Sequence, residues 1–124
     1  YQNINTPINY QPVHETSNIA LSVTPTVIKK QIIVSNPGGA INFTTSTAAV
    51  LIDGLFGGTS GTASHELYEM YKLHIINISG ANAITMVGGT GATIVGSAVV
   101  AAGASASFDI SLASATTVSV LRAS

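Results

Sequence analysis

The chain has no cysteine and no tryptophan. Without cysteine it can build neither a disulfide scaffold nor a thiolate metal site, and its redox compartment leaves no mark on the sequence. Charge is also scarce. Lys29, Lys30, Lys72 and Arg122 stand against Glu15, Asp53, Glu66, Glu69 and Asp109, so 7 % of 124 residues are charged, where an ordinary globular domain has about 25 %. Four cations and a net charge of -1 exclude an electrostatic grip on nucleic acid, which needs several Lys or Arg on phosphates. So few titratable groups also argue against an acid–base enzyme. From Leu73 to Phe108 there is no Asp, Glu, Lys or Arg at all. Asn77, Ser79, Asn82, Thr85, Thr90, Thr93, Ser97 and six glycines interrupt that stretch. A stretch broken up in this way lacks the unbroken apolar run of about 20 residues that a helix span requires, so membrane insertion is not expected.

Hydroxyls and amides stand where charge is missing. Serine and threonine supply 14 residues each, asparagine 8 and glutamine 3. Such a surface is solvated but has little long-range repulsion, and near-zero net charge favours association. The length fits one domain of the usual ~100–150 residues, able to bury about two-thirds of its unfolded surface.

Residues 1–26 read as an extended segment that lies on the rest of the chain or on a neighbouring subunit. Pro7, Pro12 and Pro25 forbid a long helix there, Ile4, Ile8 and Tyr10 are scattered apolar anchors, and Ile19–Val23 suits a short strand. No basic stretch followed by an apolar run marks a signal peptide. Residues 27–124 read as the domain proper. Val27–Ser35 looks like a strand, Asn36-Pro37-Gly38-Gly39 a turn, and Ile41–Phe43 a short strand. Thr45–Phe56 is the one helix expected, capped by Ser or Thr, weakened at Gly54 and ended by Gly57-Gly58. Leu67–Ile78 alternates, with Tyr71, Leu73 and Ile75 on one face and Lys72 and His74 on the other. Ala83–Val87, Ala92–Val95, Ser97–Val100, Ser105–Leu112 and Thr116–Leu121 follow, separated by glycine and alanine turns. Short strands at this spacing predict an all-β, antiparallel β-sandwich, jelly-roll-like, with one short helix. Alanine-rich strands bury little area, and their edges carry almost none of the Lys, Pro or bulges that block pairing. A symmetric oligomer answers both faults.

Candidate chemical motifs are thin. His65-Glu66 opens like a zinc-protease HExxH site, but position 69 is Glu. A cluster of His65, Glu66, Glu69 and His74 is the metal-site candidate, against which a polar loop leading into a strand is the better reading. Gly88-Gly89-Thr90-Gly91 resembles part of a phosphate loop but lacks the following Lys and helix, so a turn between strands is the better reading. Asp53 and Asp109 are lone carboxylates. No GxSxG is present. Asn42-Phe43-Thr44 and Asn77-Ile78-Ser79 match the N-glycosylation pattern. Tyr68, Tyr71, Phe43, Phe56 and Phe108 read first as packing, with an exposed Tyr as the stacking platform if a glycan binds. No catalytic, cofactor-binding or metal residue is assigned, and the sequence names no receptor-contact residue.

Tyr71–Phe108 (YKLHIINISGANAITMVGGTGATIVGSAVVAAGASASF) resembles the C-terminal domain recurrent in tail-fibre, collagen-like and other surface-fibre proteins of double-stranded DNA viruses and phages. Tyr71, Leu73, Ile75 and Asn77 match its first strand. Ile84-Thr85-Met86, Gly89-Thr90-Gly91-Ala92-Thr93-Ile94, Ala101-Ala102-Gly103 and Phe108 follow in order, with Ala104 where Ser or Thr is usual. The Thr45–Leu55 segment is similar to the helix before that strand. Gly57–Met70 is longer than the family's turn, and the first 40 residues lie outside the likeness. The resemblance implies a homotrimeric β-sandwich head on the virion surface. Such a head attaches to a host receptor or glycan, without cofactor, nucleic acid or membrane insertion. The alternative is a cement- or penton-type architectural capsid protein bound to other virion proteins. A glycan-active enzyme would need paired carboxylates, for which five acids leave little room.

Overall fold

A computed structural model describes residues 15–56 and 70–124. The elements run β1 (Glu15–Thr16), β2 (Leu21–Val23), α1 (Pro25–Lys30), β3 (Ile32–Ser35), β4 (Ile41–Thr45), α2 (Ala48–Leu55), β5 (Met70–Asn77), β6 (Ile84–Val87), β7 (Ala92–Val95), β8 (Val99–Val100), β9 (Ser105–Leu112) and β10 (Val118–Arg122). The described residues are mostly β, with two sheets and two helices. The larger sheet has the order β1-β3-β5-β9-β10-β7 and the smaller one β2-β4-β6-β8.

From β1 to β9 the chain changes sheet at every strand. A strand therefore meets not its predecessor but the strand before that, usually running the same way. Among the described residues, five of the eight pairings are parallel: β1–β3, β3–β5, β2–β4, β4–β6 and β7–β10. The antiparallel ones are β5–β9, β9–β10 and β6–β8. This corrects the antiparallel, jelly-roll-like expectation. Glycine turns show where a strand ends, but not which sheet the next strand joins. Among the described residues only β9–β10 pairs consecutive strands, through a turn in which Ala113 N–H and Ser114 N–H both donate to Thr117 O.

A second correction concerns the helices, of which the described residues hold two where one was expected. Pro25–Lys30, expected to be extended up to residue 26 and strand beyond, forms α1. The reason is local. Thr24 has extended backbone and its hydroxyl accepts from Val27 N–H, and Pro25 sits where a helix tolerates proline. Proline blocks a helix interior, not its first turn. Lys29 and Lys30 occupy the last turn, beside the free carbonyls. Gln31 takes the left-handed conformation at φ 74° and its N–H closes on Ile28 O, so β3 begins only at Ile32. Helix α1 thus spans the junction of residues 26 and 27. Helix α2 starts later than expected, since Thr45 belongs to β4 and Thr47 is the cap. Gly57 and Gly58, its expected terminators, lie outside the described residues.

One buried cluster takes side chains from both sheets and both helices. Phe43, Leu51, Leu73, Ile84, Phe108 and Val120 are all 0 % exposed. Fully burying such a side chain is worth about 1.5–3 kcal/mol, which is how a chain with few charges holds together. Gly54 proves to be a contact: a Cβ there would lie 2.5 Å from Pro25 Cγ, so the glycine lets α1 and α2 touch. The Tyr71 hydroxyl donates to Leu55 O at 2.6 Å, and its ring meets Phe56 edge-on at 5.5 Å. These contacts secure the end of α2 to β5.

Candidate functional site

Alternation along the strands gives each sheet an inner and an outer face. On β5, Leu73, Ile75 and Asn77 are buried while Met70, Lys72, His74 and Ile76 are exposed. On β9 the outward residues are Ser105, Ser107, Asp109 and Ser111, which stand opposite Ile76, His74, Lys72 and Met70. This register closes two polar pairs. Lys72 Nζ donates to Asp109 Oδ1 at 2.9 Å, and Ser107 Oγ lies 2.7 Å from His74 Nδ1. Asp109, a lone carboxylate in sequence, is thereby an ion-pair partner. Its pair has side-chain exposures of 57 % and 21 %, so it contributes at most ~1 kcal/mol to stability. The His–Ser contact sits on a flat sheet, with the nearby carboxylate engaged by lysine. A nucleophile–base–orienter chain is not assembled there.

Outward residues of the smaller sheet differ in character. Ser22, Asn42 and Thr44 are exposed and Thr85 is half-buried, and Ser22 pairs with Thr44 and Asn42 with Thr85. This face carries no charge: hydroxyls and an amide stand beside Val87, opposite Thr44, and Val99, opposite Thr85 and 45 % exposed. Asn42 is exposed here, so its glycosylation pattern is accessible. Asn77 is 1 % exposed. Its amide nitrogen donates to Asn82 O at 2.9 Å and Val100 O at 3.1 Å, and its Oδ1 accepts from Ser79 N–H at 3.0 Å. Asn77 is a structural hub, not a free acceptor.

That hub organises one end of the molecule. Ser79 Oγ accepts from Ala81 N–H and Asn82 N–H, and Asn82 Nδ2 donates to Pro37 O at 3.0 Å. The network ties the β3–β4 turn, the β5–β6 turn and β8 together. The Gly88–Gly91 turn does the corresponding work beside α2. Gly89 N–H donates to Thr45 Oγ1 at 2.8 Å, and Thr90 O accepts from Ala48 N–H at 2.8 Å. Gly91 has φ +83°, and a Cβ there would lie 2.8 Å from Ala48 Cβ. Gly89 N–H is thus spent on the end of β4 and Thr90 O on the first turn of α2, so this is the expected turn between strands.

Arg122 extends the inner row of Val118 and Val120. Its Nη1 donates to Ser97 O at 3.1 Å and Val99 O at 2.9 Å, its Nε donates to Ser124 O, and its guanidinium lies 5.6 Å from the Phe108 ring centre. It braces the crossing from β7 to β8. Phe43, Phe56 and Phe108 are buried, and Tyr71 is half-buried with its hydroxyl bonded. Asp53 is exposed on α2. His65, Glu66, Tyr68 and Glu69, like Ile4, Pro7, Ile8, Tyr10 and Pro12, lie outside the described residues. Among the described residues, no three His, Asp or Glu side chains group closely enough to hold a metal ion, and no helix is long and apolar enough to cross a membrane.

Sequence reasoning missed Ser107, Asn82 and Arg122. For Ser107 there was a signal: Ser105, Ser107, Asp109 and Ser111 recur at every second residue. The partners of Asn82 and Arg122 come from distant parts of the chain and leave no local pattern. No family model, curated protein or solved structure matches this chain.

Proposed function

We propose that this protein is a non-enzymatic structural and attachment module, the head of a virus or phage surface fibre. It works as a homotrimer of two-layered β units on the virion surface. The observation that carries the reading is the ordered run Tyr71–Phe108. The residues by which it resembles fibre heads are fold-determining here: Asn77 is the buried amide hub, Gly91 makes the tight turn against α2, and Phe108 is core. A likeness held at such positions is a likeness of architecture. The scarcity of charge supports the same reading, as does the uncharged face of the smaller sheet, whose hydroxyls and amide are suited to hydrogen bonding with a glycan or another neutral surface.

Attachment by such a head relies on number. Three modest sites on one rigid body raise avidity well beyond that of one site, provided the geometry lets them engage together. Light scattering tests the reading, with a mass of three times 12.6 kDa expected; a monomer at every concentration refutes it. Binding on a glycan array or to host cells supports attachment. Tight binding to capsid proteins without any surface ligand replaces it with the architectural alternative.

A further inference from the structure

Resting on that homo-oligomer reading, we propose that the outer face of the six-stranded sheet is where copies of this chain close on one another. Ile32 and Val34 on β3 lie beside His74 and Ile76 on β5, and Ile78 continues the row beyond the strand. Ile32 is 37 %, Ile76 36 % and Ile78 58 % exposed. They form a contiguous β-branched surface facing outward from a molecule with few charges to keep it apart from its copies. Met70 and Val95, at 55 % and 46 %, extend the apolar character to the flanks.

The polar groups of this face identify the occupant. Lys72 and Asp109 cancel each other, and His74 and Ser107 satisfy each other. A charged partner would find no unmatched charge to complement. An identical copy meets no repulsion, since the face sums to zero. Ion pairs and hydrogen bonds already closed within one subunit also cost less to cover than open ones. On size, the six strands hold 31 residues, which at ~4.8 Å between strands and ~3.3 Å per residue project about 490 Å² before side-chain relief, against the ~800 Å² of accessible surface each partner gives to a standard interface. The other sheet presents Ser22, Asn42 and Thr44 outward together with half-buried Val87 and with Val99, 45 % exposed. Closing the six-stranded face leaves this uncharged face for a ligand.

The test uses the full chain with Ile76→Lys on the proposed interface and Thr44→Lys on the opposite face. Light scattering is expected to give the wild-type mass for T44K and 12.6 kDa for I76K, with unchanged circular dichroism. Because the chain lacks cysteine, a single thiol reports cover directly. Ser105, opposite Ile76, and Thr44 are both exposed in the subunit. S105C is expected to react with an aromatic disulfide about tenfold more slowly than T44C. Should I76K fail to fold, this thiol pair decides alone. Equal reactivity, or an I76K protein that keeps its mass, overturns the inference. An oligomer dissociated by T44K places the interface on the other sheet and leaves the homo-oligomer reading standing. A monomeric wild type refutes both.

Discussion

Gly54 offers a test in which helix propensity and packing oppose each other. Replacing a helix-interior glycine with alanine stabilises by about 1 kcal/mol when nothing intervenes. Here the new methyl would lie 2.5 Å from Pro25 Cγ and 2.6 Å from Pro25 Cβ. The proline ring cannot rotate away, so α1 must shift from α2, and overpacking of this kind costs about 1–3 kcal/mol. Packing wins, and Gly54→Ala is expected to destabilise by about 1 kcal/mol, lowering the melting temperature by about 4 °C for a domain of this size. Thermal and urea unfolding measure it. Gly38→Ala is the control, since a Cβ there meets nothing within 4 Å, and its change should be within about 0.5 kcal/mol. Combining Gly54→Ala with Pro25→Gly should recover part of the loss, giving a favourable coupling energy of at least about 0.5 kcal/mol. A melting temperature that rises in Gly54→Ala would show that the helix contact is not a constraint and refute the reasoning.

Two further predictions concern the polar braces. Asn77→Ala strips the partners from Ser79 N–H, Asn82 O and Val100 O; with each stranded buried group costing about 1–3 kcal/mol, a loss near 3 kcal/mol is expected in urea unfolding, and a loss under about 1 kcal/mol would mean water replaces the amide. Arg122→Ala frees Ser97 O and Val99 O and removes the cation from Phe108; hydrogen exchange should quicken over residues 97–100 before the rest of the fold, with about 1–2 kcal/mol lost. Arg122→Lys should not restore protection, since one ammonium lacks the planar fork.

Composition and local pattern sufficed for the β-rich class, the strand positions of β5, β7 and β9, and the helix at α2, because burial periodicity and turn residues act over a few neighbours. The same local information was present at α1 but pointed two ways: Thr24-Pro25 signals a helix start, while Val27–Ile33 is β-branched. Contact with α2 through Gly54 and burial of Val27 and Ile28 accompany the helical outcome. Sheet membership was not legible, because a turn's conformation depends on its own residues while the destination of the next strand depends on which buried faces fit together. The parallel pairings, the Asn77 hub and the Lys72–Asp109 and His74–Ser107 pairs all join residues far apart in the chain. Sequence determined what this protein lacks and therefore how little charge can hold or repel it. Tertiary structure alone decided where the few polar groups meet and which isoleucines stand together on the surface, since those depend on distances that only the folded chain brings within reach.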